Sequence, residues 1–580
     1  MEKPIYKNFF FFIFMYSLGA LCIIATTERE YAPFFYKLFF ELFFDLYILC
    51  CILTLLPSRF RLFSSWALAI ILYILAIVDM FCYVKLGSTF SPGMLQLVRE
   101  TNPQESEEFF SAYISPSILL SPVGIIILLA ILHIISSVHF KVPHNNNQTK
   151  KRRIIINGIL LIFVTFGLIA GIKNKYYIVQ TWQFKTMGQV EQFFSNEYYA
   201  RRALYLPIHR TIFAIHANHL VQQEVIILQH VMENSKIDSC SYTSPVIVLV
   251  IGESYNKHHS QLYGYKQKTT PHQLQREQAQ ELFVFSDAVT PFNLTSEVFK
   301  NAFSLNDISK NESWCDKPMF TNLFKKAGYQ VSFLSNQFVL KRNQDIADFN
   351  GGMFLNNLKL SNLQFDIRNS ITHQFDEDLL NDYRNLCCKN PHSRQLIIFS
   401  LIGQHVNYSE RFPPKFEHFK PSDYQRDDLN REQLQIVADY DNATLYNDYV
   451  INKIIQLFEQ EDAIILYLSD HGDECYDQIK ISGRQHCDPV TKNVATNEYQ
   501  IPFWIWCSKK YQNHHSDIVE QIRYSTQRHF YSDDLSQVLL YLGGISCKDY
   551  DEKCNIISPS YNNHRKRLLK KNTDYDKIIQ

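Results

Sequence analysis

Two kinds of apolar pattern divide the chain. The N-terminal third carries long, uninterrupted apolar segments, whereas the remainder alternates short strand-like runs with segments of helical periodicity. Each long segment approaches the roughly 20 residues that an α-helix needs to cross a bilayer. These segments are Phe9–Ala25, Phe34–Leu56, Trp66–Val84, Ile118–Val138 and Ile154–Ile172. The pattern therefore predicts five membrane-spanning helices ahead of a soluble region.

The charges around these segments predict their orientation. Two lysines precede the first segment, as they would in a signal peptide, but no small-residue cleavage pattern follows it. We therefore interpret it as an uncleaved anchor. Basic residues at 3–7, 59–61 and 150–153 mark alternate ends of the helices, whereas the loop at 99–114 is acidic. The positive-inside rule then predicts a cytoplasmic N-terminus, and an odd number of spans puts the chain after Ile172 on the far side.

Three carboxylates interrupt the apolar segments. Glu41 and Asp45 lie four residues apart, on one face of the second predicted span, and Asp79 lies in the third. A charged group exposed to lipid is costly, so such residues face the interior of the helix bundle or serve a function. We favour interhelical hydrogen bonding for all three.

The chain after the fifth span is predicted to have three parts. We assign residues 1–173 to the membrane domain, 174–243 to a linker, 244–545 to a catalytic domain and 546–580 to a basic tail. The linker is rich in aromatic residues and has helical apolar spacing, which suits the membrane interface but also an ordinary connector. The tail is interpreted as a solvated face, with contact to anionic lipid as the alternative.

Residues 244–545 alternate strand-like and helix-like segments, which is typical of an α/β domain. Because several of the strand-like runs are continuously apolar, we predict a mostly parallel central sheet that is covered on both faces. The predicted strands are Val246–Ile251, Leu282–Phe285, Val331–Leu334, Leu396–Leu401, Ala463–Leu468 and Ile501–Trp506. The longest helical pattern covers Arg431–Gln460.

Composition adds two constraints. Lysine and arginine together number 57, as do aspartate and glutamate, so the net charge of zero gives no support to nucleic acid as a partner. Four of the thirteen cysteines (Cys22, Cys50, Cys51 and Cys82) lie in apolar segments and are expected to pack as small apolar side chains. The other nine are compatible with an oxidising compartment, but their spacing does not reveal a disulfide pairing.

Two buried strands are predicted to deliver metal ligands to one edge of the sheet. The run beginning at Val246 ends at Glu253, and the run beginning at Ala463 ends at Asp470 and His471. In open α/β sheets, ligand-binding groups lie just beyond the carboxyl ends of the strands. Two carboxylates and an imidazole suit Zn²⁺, although each motif alone could be a helix cap or a chance match.

A hydroxyl could complete this site. Thr295 or Ser296 would lie at the N-terminus of a helix, where free amide groups and the helix dipole favour a phosphate. A neighbouring metal would turn such a hydroxyl into a nucleophile, whereas without the metal it would be a plain N-cap. His405 and His486 follow or precede strands at the same predicted edge, and could bind a second metal or a developing anion, or simply be solvated.

In combination these residues resemble a known family, the bacterial phosphoethanolamine transferases that modify lipid A or the lipopolysaccharide core. That family belongs to the alkaline phosphatase/sulfatase superfamily and has five membrane helices ahead of a periplasmic catalytic domain. The resemblance covers nearly the whole chain. The matching motifs are Gly252–Ser254, Leu262–Tyr265, Thr269–Pro271, Val289–Pro291, Tyr440–Asp448, Ser469–Gly472 and Ile501–Trp504.

The resemblance implies specific roles for individual residues. The zinc ligands that it implies are Glu253, Thr295, Asp470 and His471, with Thr295 as the nucleophile. The substrate-binding residues that it implies are Asn336, Lys341, His405 and His486; the two histidines are also where a second zinc ion would bind. One departure is Asp473, which stands where the family usually has glutamate.

The function implied is transfer of phosphoethanolamine from phosphatidylethanolamine to a lipopolysaccharide acceptor, through a covalent intermediate on Thr295. The resemblance places the protein in the bacterial inner membrane as a monomer with a periplasmic catalytic domain. The alternatives are a membrane-anchored phosphohydrolase or sulfatase-like hydrolase, a glycerol-phosphate transferase of the same superfamily, and a non-catalytic sensor. The sequence Thr295–Phe299 lacks the Cys/Ser-x-Pro-x-Arg motif of sulfatases. The acceptor is not specified by the sequence.

Overall fold

The computed structural model describes residues 2–26, 32–86, 89–90, 116–140, 150–194, 203–310, 312–338, 352–389, 392–485 and 489–580. The chain forms two compact units, an N-terminal one that extends to Gln222 and a C-terminal one that begins at Gln223. The four-part division of the sequence analysis stays a prediction.

The N-terminal unit is helical. Its helices are α1 (Glu2–Lys7), α2 (Phe9–Thr26), α3 (Ala32–Leu55), α4 (Ser58–Leu86), α5 (Pro122–His139), α6 (Lys150–Gln183) and α7 (Met187–Phe194), and α8 (Pro207–Asn234) continues into the second unit. The five helices α2 to α6 are long and apolar enough to cross a membrane, which confirms the predicted spans. Helix α5 begins where the sequence favours a start, because Ser121 accepts a hydrogen bond from the Val123 amide and Pro122 follows it.

The carboxylates in these helices have partners inside the unit. The buried Glu41 accepts hydrogen bonds from Asn174 and from Lys175 on α6, the latter at 2.8 Å. Asp45 lies 2.5 Å from the same lysine. Gly171 permits this contact, since a Cβ there would lie 3.0 Å from the Glu41 side chain. The preference for interhelical hydrogen bonding is therefore confirmed for α3 and α6.

Asp79 forms a second buried pair in the same unit. Its two carboxylate oxygens accept hydrogen bonds from Nε and Nη2 of Arg210, at 2.8 and 2.6 Å. The side chains are 0% and 5% exposed, so neither charge is solvated. Such a pair is costly to break, because the remaining charge would be buried alone.

The C-terminal unit is built on a seven-stranded sheet. Its strands are β1 (Val246–Gly252), β2 (Leu282–Val284), β3 (Gln330–Ser335), β4 (Ile367–Arg368), β5 (Gln395–Ser400), β6 (Ala463–Ser469) and β7 (Phe503–Cys507). Their order across the sheet is β2-β7-β6-β1-β5-β3-β4. The pairs of β1 with β5 and β6, and of β3 with β4 and β5, are parallel, whereas β7 is antiparallel to both of its neighbours. The predicted mostly parallel sheet is confirmed.

Burial explains why the strands could be predicted. Every residue of β1 and β6 is buried, as expected for central strands covered on both faces. The long helix α15 (Arg431–Phe458) covers one face of the sheet, and its Ile451 and Ile454 belong to the same apolar core as the strands. Each such side chain contributes about 1.5–3 kcal/mol by leaving water. The helix begins at Asn430, which exchanges hydrogen bonds with Gln433 in a capping box.

Shorter elements complete this unit. The remaining helices are α9 (Pro271–Gln278), α10 (Thr295–Phe303), α11 (Phe320–Lys326), α12 (Met353–Asn356), α13 (Leu358–Gln364), α14 (Leu379–Leu386), α16 (Lys492–Val494), α17 (Lys509–His514), α18 (Ser516–Ser525), α19 (Leu535–Gly543) and α20 (Tyr575–Ile579). Four two-stranded pairs join Ser239–Cys240 to Ile545–Ser546, Asp287–Val289 to His529–Tyr531, Glu474–Cys475 to Ser482–Gly483, and Leu568–Leu569 to Thr573–Asp574. The twelve described cysteines are all free thiols.

The C-terminal segment corrects one prediction. The sequence analysis interprets its basic residues as a solvated face, but the side chains of Arg565 and Arg567 are only 8% and 2% exposed. Arg565 lies 2.7 Å from Asp307 and 2.6 Å from Asp533, and Arg567 lies 2.7 Å from Asp287. The prediction was wrong for these two arginines because these three aspartates are 32 to 280 positions away from them in the sequence.

Candidate metal centre

The register of two neighbouring strands brings the first two candidate ligands together. Strands β1 and β6 are parallel, and Gly252 at the end of β1 pairs with Ser469 at the end of β6. The next residue on each strand is therefore Glu253 or Asp470, and the Asp470 amide donates a hydrogen bond to the Gly252 carbonyl at 3.1 Å. Both side chains are fully buried at this edge of the sheet. The predicted delivery of two carboxylates to one edge is what the geometry shows.

His471 and Thr295 join these carboxylates. His471 Nε2 lies 3.3 Å from Glu253 Oε1 and 3.2 Å from Asp470 Oδ2. Thr295 Oγ1 lies 3.0 Å from Glu253 Oε2 and 3.3 Å from His471 Nε2. Ligand atoms of Glu253, Asp470 and His471 all lie within 4.8 Å of one another. Four residues from three segments that are far apart in the sequence thus converge on one point.

The threonine hydroxyl is not a helix cap. Helix α10 begins at Thr295, the capping residue is Leu294, and no side chain makes the cap hydrogen bond. The Thr295 hydroxyl instead points to Glu253 and His471, so it lies at the N-terminal end of a nine-residue helix and among the candidate ligands. Between the two hydroxyls that the sequence left open, the geometry selects Thr295.

Hydrogen bonds orient the ligands. Asp470 Oδ1 accepts from the backbone amides of Ser254 and His471, at 3.0 and 2.7 Å. Its second oxygen, Oδ2, is buried without a hydrogen-bond partner among the described residues. His471 Nδ1 lies 2.9 Å from the Gly472 carbonyl. A proton on Nδ1 makes that hydrogen bond and leaves the lone pair of Nε2 directed at the carboxylates, as in histidines that bind metals.

The charges of the cluster suit a bound cation. Burial raises the pKa of Asp470 well above its usual value, and the negative charge of Glu253 raises it further. Burial lowers the pKa of His471, and the positive charge of Arg484 also lowers it. A neutral imidazole and two crowded carboxylates, one with an unpaired oxygen, form a donor set that fits a divalent metal ion. Such a metal would bind Glu253, Asp470, His471 and the Thr295 hydroxyl.

Two glycines allow the backbone to approach the site closely. A Cβ at Gly472 would lie 2.1 Å from the Asn497 carbonyl oxygen, so no side chain fits there. Gly403 has a positive φ of 46°, and a Cβ on it would lie 2.9 Å from the backbone of Glu253. These contacts fix the two turns that carry the ligands.

Four other residues are predicted from the sequence to belong to the site. His405 follows β5. Burial lowers its pKa, and the negative charge of Glu253 opposes this effect. The interaction with Glu253 shows that His405 lies near the cluster. Both polar atoms of the Asn336 side chain already have partners, since Nδ2 donates to Asp376 at 2.9 Å and Oδ1 accepts from the His373 amide at 2.6 Å. Lys341 and His486 lie outside the described residues. The substrate-binding roles of these four residues stay predictions.

Two further polar side chains, which are not among the predicted site residues, contact the candidate ligands. Gln337 Nε2 donates to Glu253 Oε2 at 3.1 Å and to the Leu401 carbonyl at 2.5 Å. Arg484 Nη1 lies 2.9 Å from His471 Nε2. Gln337 could have been found because it lies three residues after the end of the predicted strand Val331–Leu334. Arg484 follows a short hairpin that has no strand signal, so no local pattern indicates it.

A family model and several known proteins are similar to this chain. A family model described as Sulfatase matches residues 245–545. Phosphoethanolamine transferase EptC from Escherichia coli is 27% identical over 565 residues, covering 90% of this chain and 88% of that protein. Phosphoethanolamine transferase CptA from Salmonella typhimurium is 27% identical over 554 residues, with the same two coverages. A crystal structure of the C-terminal periplasmic domain of EcEptC from Escherichia coli in complex with Zn is 29% identical, covers 60% of this chain and 96% of that chain, and has a TM-score of 0.49.

Proposed function

The chain belongs to the sulfatase family, and on that premise we propose that it transfers phosphoethanolamine from phosphatidylethanolamine to a lipopolysaccharide acceptor. The family match covers residues 245–545 of 580. Relatives named phosphoethanolamine transferase align with 90% of the chain, and so with membrane helices as well as the catalytic unit. The observation that carries the proposal is the contact of the Thr295 hydroxyl with both Glu253 and His471.

Zinc is the metal that we propose for this site. Two carboxylates, one imidazole and one hydroxyl give four ligands, and His471 would bind through Nε2. When bound, the ion would supply positive charge beside the Thr295 hydroxyl and so lower its pKa. His405, whose charge interacts with that of Glu253, is proposed to lie beside a second zinc ion or the substrate.

The reaction that we propose has two balanced steps. In the first, Thr295 Oγ1 forms a bond to the phosphorus of phosphatidylethanolamine and the bond from phosphorus to the glycerol oxygen breaks. The electron pair stays on the glycerol oxygen, which receives the proton lost by Thr295, so diacylglycerol leaves. In the second, a hydroxyl oxygen of the acceptor forms a bond to the phosphorus and the bond from phosphorus to Thr295 Oγ1 breaks. Thr295 Oγ1 then receives the proton that the acceptor hydroxyl loses. The position of Thr295 at the start of α10 supports this scheme, because helix N-termini stabilise phosphate.

The membrane helices fit a reaction between two lipids. Five helices of the N-terminal unit are long and apolar enough to cross a bilayer. A bacterial inner-membrane protein with its catalytic unit in the periplasm would meet the donor and the acceptor in the plane of the head groups, which raises their effective concentration. We propose the same location for this chain.

Substitution of the nucleophile tests the proposal. The full-length protein in detergent, loaded with zinc, is assayed for release of diacylglycerol from phosphatidylethanolamine and for transfer to lipid A. We expect Thr295→Ala to lower kcat by at least about 10³-fold, because the covalent step is lost. Ser296→Ala is the matched control, since this neighbouring hydroxyl is expected to be dispensable.

A second experiment completes the test: the protein is incubated with the donor alone and then analysed by mass spectrometry. We expect one phosphoethanolamine on the peptide that carries Thr295. Unchanged activity of Thr295→Ala, or a modification on another residue, would remove Thr295 as the nucleophile. If the wild-type protein hydrolyses the donor but transfers no phosphoethanolamine to lipid A, the protein is a hydrolase and not a transferase.

A further inference from the structure

Arg484 is a partly exposed cation close to the proposed nucleophile, and its side chain is 20% exposed. It follows the two-stranded pair formed by Glu474–Cys475 and Ser482–Gly483, and Gly483 adopts a positive φ of 91° that turns the chain toward the site. Its Nη1 atom lies 2.9 Å from His471 Nε2 and 3.3 Å from the Asn293 carbonyl oxygen. Its Nε atom lies 3.6 Å from Asp473 Oδ1.

The backbone beside Arg484 is tied to the loop that carries Thr295. Asn293 Nδ2 donates to the Gln485 carbonyl at 2.9 Å and to Glu498 Oε2 at 2.6 Å. Glu498 Oε1 in turn accepts from the Gln485 amide at 2.7 Å. This closed set of hydrogen bonds holds the arginine at a fixed place relative to residue 295, which is what precise positioning of a substrate requires.

The guanidinium and the Thr295 hydroxyl approach the same atom. Arg484 Nη1 and Thr295 Oγ1 lie 2.9 and 3.3 Å from His471 Nε2. The single lone pair of Nε2 cannot serve both a metal and Nη1, so metal binding frees this N–H group. Nη2 of Arg484 has no hydrogen-bond acceptor within the described part of the chain. In the metal-loaded protein the guanidinium therefore has donors to offer to a ligand on Thr295.

The charges of the site create a need for such a cation. Glu253, Asp470 and Asp473 are all buried at this site. A divalent ion bound to Glu253 and Asp470 would offset their charge, whereas Asp473 is not among its ligands and lies 3.6 Å from Arg484 Nε. Arg484 lies among them, and a guanidinium presents paired N–H groups whose geometry matches that of phosphate oxygens.

We propose that Arg484 binds the phosphoryl group while it is transferred to and from Thr295, by donating hydrogen bonds to its non-bridging oxygens. This role rests on the proposed function, because it assumes that a phosphoryl group passes through Thr295. Arg484 acts as a phosphate-binding residue in addition to the metal, and its charge offsets that of Asp473.

The test compares Arg484→Gln and Arg484→Lys with wild type, using the zinc-loaded full-length protein. Three quantities are measured: kcat/KM for diacylglycerol release, the inhibition constant of inorganic phosphate, and the bound zinc per chain. We expect Arg484→Gln to lower kcat/KM by about 100-fold, as loss of one stabilising donor does at other centres. Phosphate should inhibit it at least about tenfold more weakly, while zinc content stays unchanged. The kcat/KM of Arg484→Lys should lie between those of wild type and Arg484→Gln, because lysine keeps the positive charge but lacks the paired N–H groups of arginine.

Arg384→Gln is the matched control, since Arg384 is an exposed arginine on α14. The proposal is overturned if Arg484→Gln retains kcat/KM and phosphate inhibition within twofold of wild type. It is also overturned if the variant loses its zinc, because Arg484 would then support the metal site and not the phosphate. Failure of the proposed function would look different, since wild type itself would then transfer no phosphoethanolamine, and phosphate binding measured by calorimetry would still test Arg484.

Discussion

Substitution of Asp470 by asparagine should change stability in opposite directions with and without metal. The asparagine keeps an oxygen that can accept from the Ser254 and His471 amides, so the turn after β6 is preserved. It removes one of two carboxylates whose ligand oxygens lie within 4.8 Å of each other. It also replaces the buried, unpaired Oδ2 by an amide group that is a poor metal ligand.

The structure gives the magnitudes. Two unit charges 4.8 Å apart repel by about 3.5 kcal/mol at an effective dielectric constant near 20. Asp470 escapes part of this repulsion by binding a proton, because burial and Glu253 raise its pKa. We therefore expect metal-free Asp470→Asn to be more stable than metal-free wild type by roughly 1–3 kcal/mol. Zinc at 1,000 times its Kd adds about 4.1 kcal/mol to wild type and should add little to the variant.

Thermal unfolding of the full-length protein, with excess zinc and then with a chelator, measures both effects. The order of the two Tm values should invert between the two conditions. Asp427→Asn, which changes an exposed aspartate, serves as the control and should follow wild type. Equal stabilisation of wild type and Asp470→Asn by zinc would refute Asp470 as a ligand. A metal-free variant that is less stable than wild type would refute the repulsion argument.

Two further predictions concern buried charges elsewhere. His259 lies 2.6 Å from Asp441 and 3.0 Å from Asp477; burial lowers its pKa, but the two carboxylates outweigh this effect and raise it to about 10. The stabilising contribution of His259 is complete below pH 6.5 and is lost as the pH rises through 10. The free energy of unfolding, measured with urea, should therefore fall over this pH range in wild type but not in His259→Asn. The same pH dependence in both proteins would contradict this prediction. In the membrane unit, Asp79→Ala should cost about 3–5 kcal/mol by leaving Arg210 buried and unpaired, and the double variant with Arg210→Met should recover much of that loss in thermal unfolding. A single variant as stable as wild type would show that the pair is dispensable.

The sequence predicted those parts of the fold that have a strong local signal. Strands β1 and β6 are long, fully buried apolar runs, so their residues indicated both the strands and the position of the ligands that follow. Strand β4 consists only of Ile367 and Arg368, too few residues for any periodic pattern, and it was not predicted. The pair of Glu41 and Asp45 was found because helical spacing of four places them on one face.

The rest of the site depends on tertiary contacts. Arg484 reaches His471 because Gln485 is fixed to Glu498 and Asn293, and no spacing in the sequence encodes that arrangement. The charge of Arg565 was visible in the sequence, but its partner Asp307 is 258 positions away, so its burial was not predictable. Local patterns thus predicted the ligands on strand ends, and long-range packing determined which polar side chains surround them.

The buried arginines after residue 545 bear on how a soluble fragment of this enzyme should be produced. The family match ends at residue 545, and a gene cut there would encode a protein without Arg565 and Arg567. Asp287, Asp307 and Asp533 would then lose the arginines with which they pair. An expression plasmid should therefore encode the chain at least through Asp576, which also binds Arg567. An affinity tag should be added after that residue.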